Sequence, residues 1–346
     1  MSKVLCFGEL LLRLSPQLNG EWIRQHAMPV FIGGAELNVA TALAKWQVPV
    51  DYCTALPDHY LSKELMASVE ERGIATEKIL LRGQRIGTYY LPQGADLKGA
   101  GTIYDRAYSS FWELKPGEID WDEILQDISW FHFSAISPAL NEHVAFVCEE
   151  GAKAASAKGI TVSVDLNHRA KLWQYGKQPS EIMPDLVEHC DVVMGNIWSA
   201  HTMLATSTDE QIHDNSSREK YLAHAVKTSQ EIIERFPKCR AVANTFRFDS
   251  GEEDIRYFTS LFTEGQEHHS ASYACHGVVD RSGSGDCYMA GLIYGFTNRL
   301  SPQATVEFAT AAAFGKLQEK GDSTSQTIEN VQQKIKPGAA QVSAEQ

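Results

Sequence analysis

Val278-Val279-Asp280-Arg281-Ser282-Gly283-Ser284-Gly285-Asp286, followed by the apolar run 287–296, decides how this chain is read. Two β-branched residues mark the end of a strand, and two glycines permit a tight turn with φ > 0 and close approach of backbone to a ligand. Met289, Ala290, Leu292, Ile293 and Phe296 recur at three- and four-residue spacing, as in a buried helix. A glycine-rich turn opening a helix presents unpaired N–H groups and the positive end of the helix dipole, which together bind anions. Asp286 at the mouth of such a site is unsuited to phosphate binding alone. It suits a base that takes a proton from an alcohol, while the N–H groups of Gly283, Ser284 and Gly285 hold phosphoryl charge. The competing reading is a plain N-cap. A dinucleotide fingerprint is excluded because its third glycine is missing, and a P-loop because there is no Gly-Lys-Ser/Thr.

Composition permits a cytoplasmic enzyme. The chain has 346 residues, 43% of them hydrophobic, enough for a large core in one or two domains. A formal charge of −13 argues against nucleic acid or an anionic membrane as partner, since phosphate contacts require clustered Lys and Arg. There is no N-terminal apolar signal and no apolar run of about eighteen residues. Seven scattered cysteines without a Cys-x-x-Cys read as reduced, buried thiols.

Strand-like and helix-like segments alternate, which predicts a doubly wound α/β fold with a mostly parallel sheet flanked by helices. Strands are expected at 3–7, 50–55, 130–134, 160–165, 191–195 and 240–245. Helices are expected at 36–46, 61–72, 142–158, 286–298, 303–316 and 327–334, with Gly73 and Gly159 as stops. Residues 85–91 and 102–107 are short, aromatic and β-rich, and the turn-forming 93–101 separates them as in an antiparallel hairpin. With 10–30 they are expected to build a small β-sheet lid (about 10–30 and 85–110) over the carboxyl ends of the main strands. The polar segment 207–220 reads as a surface insertion. One domain over 1–336 and a frayed tail over 337–346 complete the organisation.

A second motif, Phe31-Ile32-Gly33-Gly34-Ala35-Glu36-Leu37-Asn38, again opens a helix with glycines. Backbone can approach a polyol there, and Asn38 can donate and accept; plain packing explains the same residues as well.

The run 280–286 resembles the Asp-Thr-x-Gly-Ala-Gly-Asp signature of the ribokinase-like (PfkB) carbohydrate kinases, with Arg281 and Ser284 in place of Thr and Ala. Gly33, Gly34 and Asn38 resemble the Gly-Gly-x-x-x-Asn of the same family, in the right order along the chain. The resemblance implies a ribokinase-like fold, ATP and Mg²⁺, and phosphoryl transfer to a sugar hydroxyl with Asp286 as base. Tyr104-Asp105-Arg106-Ala107, Asp165-Leu166-Asn167-His168-Arg169 through Trp173, Phe133-Ser134-Ala135-Ile136 and Gly321-Asp322 are similar to the branch that phosphorylates 2-keto-3-deoxygluconate. It implies sugar-acid contacts from Gly33, Gly34, Asn38, Tyr89, Tyr104, Arg106, Arg169 and Asp322, and attack by the 6-hydroxyl. Planar arginines suit a carboxylate, so Arg106 and Arg169 form a candidate clamp; a surface ion pair is the other fate of each, and packing the other role of the tyrosines.

For the nucleotide, the resemblance implies Asn167, Arg169, Asn196, Thr245 and Arg247, together with Gly283 and Gly285. One departure concerns the Asn-x-x-Glu pattern that orders magnesium-bound water: Ser199 stands where the glutamate belongs. Asp280 and Ser282 resemble residues of a monovalent-cation (K⁺) site. The lid edges invite a homodimer or higher homo-oligomer. Two alternatives stay open, a neutral-sugar kinase (fructose or tagatose) and a sugar-binding paralogue without activity.

Overall fold

Short, fully buried runs such as Val4-Leu5-Cys6-Phe7 become the inner strands of a wide sheet. The computed structural model describes residues 3–16, 22–92, 101–209, 212, 216–249, 255–275 and 277–336. The strands begin with β1 (Val4–Phe7), β2 (Leu11–Leu14), β3 (Val30–Gly33), β4 (Val50–Cys53) and β5 (Ala55–Leu56). They continue with β6 (Leu80–Leu81), β7 (Gly87–Tyr90), β8 (Ile103–Asp105), β9 (Trp130–Ser134) and β10 (Thr161–Asp165). The last are β11 (Val192–Gly195), β12 (Ala241–Asp249), β13 (Ile255–Thr263), β14 (Gln266–His269) and β15 (Tyr273–Cys275).

The main sheet runs β14-β13-β12-β11-β10-β9-β1-β4, with β15 also on β13. From β12 to β4 every pairing is parallel, and β13, β14 and β15 add antiparallel strands at one edge. Alternation along β1 shows why its residues must all be apolar. Val4 and Cys6 join the core beneath the helices Ala35–Lys45, Ser284–Thr297 and Pro302–Lys316. Leu5 and Phe7 point the other way, into the core under Glu142–Ala157 and Pro179–Val187. A sheet covered on both faces leaves no position for a polar residue except where a partner is built in. The second, four-stranded sheet has the order β3-β2-β7-β8 and is the lid.

The expected parallel strands and their helices fall within a few residues of the reading. The hairpin β7/β8 is antiparallel as expected. Its turn lies largely outside the described residues, as does the tail 337–346. Three features differ. The lid is joined at its centre by a parallel pairing of β2 with β7. Strand β12 continues to Asp249, and β13–β15 extend the sheet where no strand was expected. In 207–220, a helix already starts at Arg218, capped by the Ser217 hydroxyl. Among the described residues no helix is long and apolar enough to cross a membrane, and Cys6, Cys53, Cys148, Cys190, Cys239 and Cys287 are free and buried.

Candidate active site

Gly283 caps the helix Ser284–Thr297 with φ 76°, and a Cβ built there would lie 1.8 Å from the Asp322 carbonyl oxygen. Both facts demand glycine: the left-handed backbone and the lack of room. The turn delivers Asp286 to the third position of the helix, where its side chain is buried. Asn38 Nδ2 donates to Asp286 Oδ2 at 2.7 Å, while Asn38 Oδ1 accepts from Ser323 at 3.0 Å, so the amide is oriented from both ends. Burial pushes the Asp286 carboxyl up to about 7, opposed by the Asn38 hydrogen bond and the Arg169 charge.

Asp286 stands where two cavities meet. The larger, about 590 Å³, lies at the carboxyl ends of β10, β11 and β12. Its walls include Asn167 and Arg169 after β10, Asn196 after β11, Thr245 and Arg247 on β12, and Gly283, Ser284 and Gly285. Every residue expected at the nucleotide therefore faces one cleft. Thr245 ties its walls together by donating to the Gly195 carbonyl at 3.2 Å. The smaller cavity lies under the lid and is lined by Gly34, Asn38, Tyr89, Tyr104, Arg106 and Asp322, among others. Tyr104, Asn167, Arg169, Gly283 and Asp286 border both cavities.

Gly33 is the exception among the expected sugar contacts. It packs behind the small cavity, and a Cβ there would come within 2.9 Å of Asp322 Oδ2. Gly34 has φ 142° and lies against the Glu9 carbonyl, so only glycine admits this backbone. Tyr89 and Tyr104 stack with ring centroids 6.3 Å apart, and the Tyr89 hydroxyl donates to Asp322 at 3.4 Å. Asp322 is raised to about 6 by burial, against the pull of Arg13.

The two candidate arginines differ. Arg169 is half-buried and donates to its neighbour's carbonyl, His168 O, at 3.0 Å. Arg106 is buried and already paired: its Nε lies 2.5 Å from Glu9 Oε2, and Ser109 donates to the same carboxylate. The position of Asn196 also has a local explanation. Its Oδ1 accepts from the N–H groups of Trp198 and Ser199, and Ser199 Oγ accepts from the Asn196 N–H at 2.9 Å. Asn196 and Ser199 thus form a reciprocal cap on the helix Ile197–Leu204, and Ser199 supplies no carboxylate.

Several residues of the site were missed in the sequence. Glu9 and Glu36 line the small cavity, and Glu36 Oε1 accepts from the Ser134 N–H at 2.9 Å and hydroxyl at 2.6 Å. Asp165, at the end of β10, is buried in the large cleft; burial and the nearby Asp286 hold its carboxyl well above the usual range. Asp280 and Ser282 are gripped by Arg13 of the lid: Nη2 lies 3.0 Å from Asp280 Oδ2, and Nη1 donates to Ser282 Oγ at 3.3 Å. The available signal for Arg13 was a charged residue on the inward face of a strand, between Leu12 and Leu14.

A family description, pfkB family carbohydrate kinase, matches residues 1–329. The chain belongs to this family. It is therefore a carbohydrate kinase, a phosphotransferase of a family that uses ATP with a divalent metal. Its fold is similar to that of a 2-dehydro-3-deoxygluconokinase from Thermotoga maritima, with TM-score 0.86 and 34% identity, covering 96% of this chain and 99% of that one. In sequence it is 32% identical over 173 residues to a 2-dehydro-3-deoxygalactonokinase from Haloferax volcanii, a match spanning 50% of this chain and 54% of that relative's length. A 2-dehydro-3-deoxygluconokinase from Haemophilus influenzae is 25% identical over 333 residues, 93% of this chain and 95% of that protein.

Proposed function

We propose that this kinase phosphorylates the 6-hydroxyl of 2-keto-3-deoxygluconate, with Asp286 as the base. The observation that carries the reading is the carboxylate of Asp286, buried, held by Asn38 and set at the junction of the two cavities. An alcohol in the small cavity loses its proton to Asp286 as its oxygen attacks the γ-phosphorus of a nucleotide in the large one. The bond from that phosphorus to the bridging oxygen breaks, and ADP leaves. N–H groups of Gly283, Ser284 and Gly285 receive the charge on the transferring group, assisted by the dipole of the helix behind them. The lid keeps water from competing for the phosphoryl group.

Magnesium fits the large cleft only in part. The carboxylates lining it are Asp165 and Asp286, so with Asp286 as base, Asp165 is the one that faces a metal or its water. Held there, Mg²⁺ would supply positive charge to the phosphate groups, with Asp165 as the protein carboxylate facing it or its water. Arg169, bordering both cavities, is assigned to the sugar carboxylate, and Arg106 supports it from beside Glu9.

The Glu9–Arg106 pair favours a second reading. An arginine already neutralised has less to offer a carboxylate, and Glu9, Glu36 and Asp322 suit the hydroxyls of a neutral sugar. A coupled ADP-release assay with 2-keto-3-deoxygluconate, its C4 epimer, fructose and tagatose separates the two. Preference for the keto acids by about tenfold or more in kcat/KM is expected. Turnover only of neutral sugars overturns the acid assignment and leaves Asp286 as base.

A further inference from the structure

Asp280 and Asp322 belong to the two loops that shape the anion-binding turn. Asp280 Oδ1 accepts from the Ser282 N–H at 2.9 Å, and Oδ2 from the Gly321 N–H at 3.2 Å. The Asp322 carbonyl presses on Gly283. A buried carboxylate, Asp322, beside a half-buried one, Asp280, needs positive charge, and this chain supplies it twice. Arg13, 3% exposed, reaches both: besides its contacts with Asp280 and Ser282, its Nε lies 3.1 Å from Asp322 Oδ1. The Phe31 ring covers the guanidinium, 4.3 Å from its centre. Lys316 comes from below, at the end of the helix Pro302–Lys316, with no exposed surface. Its ammonium donates to the Glu319 carbonyl at 3.1 Å, its stem passes 3.5 Å from where a Gly283 Cβ would sit, and its charge acts on Asp280 and Asp322. Burying an arginine and a lysine is costly unless each is paired. Here Arg13 is paired directly with both Asp280 and Asp322, while Lys316 lies close enough for its charge to act on them and on Glu319, so the loop carries its own positive charge.

We infer that Arg13 and Lys316 are the resident cations of the anion-binding loop, standing where the family resemblance places an exchangeable monovalent ion, so that this kinase needs no potassium. The inference rests on reading the loop as the phosphoryl site. Both are positioning residues: they hold Asp280 and Asp322, and through them the turn that aims Gly283 and Asp286. Tethered cations also tie the loop to the lid through β2, a link that a free ion lacks.

The test compares the wild-type protein in potassium chloride, sodium chloride and choline chloride at equal ionic strength, reading the thermal midpoint and kcat. Agreement within about twofold in kcat and about 1 °C in midpoint is expected. Activation by potassium of about tenfold, or a potassium-specific rise in midpoint, overturns the inference. Arg13→Met and Lys316→Met each strip one cation from the pair of carboxylates. Each is expected to acquire a potassium-specific rise in midpoint, and a kcat that potassium partly restores. A folded variant still indifferent to potassium removes its residue from the assignment; should a variant not fold, the wild-type comparison decides. The midpoint needs no sugar, so an error in the substrate leaves this result standing.

Discussion

Asp286 serves two conflicting demands. A base must be ionised to accept a proton, yet burial favours the neutral acid and lifts the group to about 7. The kcat/KM for the sugar is therefore expected to fall about tenfold per pH unit below pH 7 and to level off above it, a profile measurable with saturating ATP. Asp286→Asn keeps the acceptor for Asn38 but removes the base, and a loss in kcat of about 10²–10⁴ is expected. Near-normal turnover would remove Asp286 from the chemistry. The arginines call for different experiments. Arg169→Ala is expected to weaken the keto acid by about 1.5–3 kcal/mol, read as KM, without moving the thermal midpoint. Arg106→Ala leaves Glu9 buried without its partner and is expected to cost about 3–5 kcal/mol of stability, read by urea unfolding. An unchanged KM in Arg169→Ala would hand the carboxylate to Arg106 or abolish the clamp.

At the scale of elements, the active site depends on how closely two helices approach. Ser284–Thr297 and Pro302–Lys316 pack with Gly291 against Ala309 and Gly295 against Thr305, and a Cβ on Gly291 would lie 2.4 Å from Ala309 Cα. Gly291→Ala gains helix propensity of about 1 kcal/mol but forces the helices apart, which costs about 1–3 kcal/mol. A net loss of stability is expected, together with a fall in kcat, because the helix that moves carries Asp286. Stability above wild type would show that the contact can relax. The helices and parallel strands were legible in sequence for a simpler reason. Runs such as Val4–Phe7, buried on both faces, are apolar throughout, and Gly73 and Gly159, both with positive φ, stop two of the helices. The edge strand β14 was not legible, because a sheet edge tolerates polar residues such as Gln266 and His269 that break the pattern, whereas its neighbour β13 is a buried, β-rich run that the sequence did offer. The lid pairing β2–β7 joins residues more than 70 apart, which no local signal reports. Within the site, the glycine turns and Asp286 carried a local pattern. Glu9 and Glu36 are single charged residues in largely apolar sequence, Asp165 and Lys316 stand beside polar segments, and only the fold gives any of them partners.

Across the whole molecule, two sets of buried groups pull stability in opposite directions with pH. Burial raises Glu36 and Asp165, lifts Asp286 and Glu267 to about 7 and Asp322 to about 6. A carboxyl raised in this way binds more protons folded than unfolded, so stability falls as pH climbs from about 4 to the folded value. Buried His132 is pushed down to about 3, and His168, His224 and His269 are lowered for the same reason. There the unfolded chain takes up protons first, and stability is lost as pH drops below about 6.5. The two effects oppose each other between about 4 and 6.5, and above 6.5 only the carboxyls still ionise. The thermal midpoint is therefore expected to be higher at pH 6 than at pH 8, by calorimetry in the ligand-free protein. Asp286→Asn isolates one contributor, because its amide does not ionise. At pH 8 the substitution is expected to raise the midpoint by up to about 5 °C, and the gain should shrink as pH falls toward 4, where the folded carboxyl is neutral and the unfolded one is about half protonated. A variant less stable than wild type at pH 8 would mean that the ionised carboxylate is held by more than Asn38 and Arg169, and that its place in the site is not a strained one.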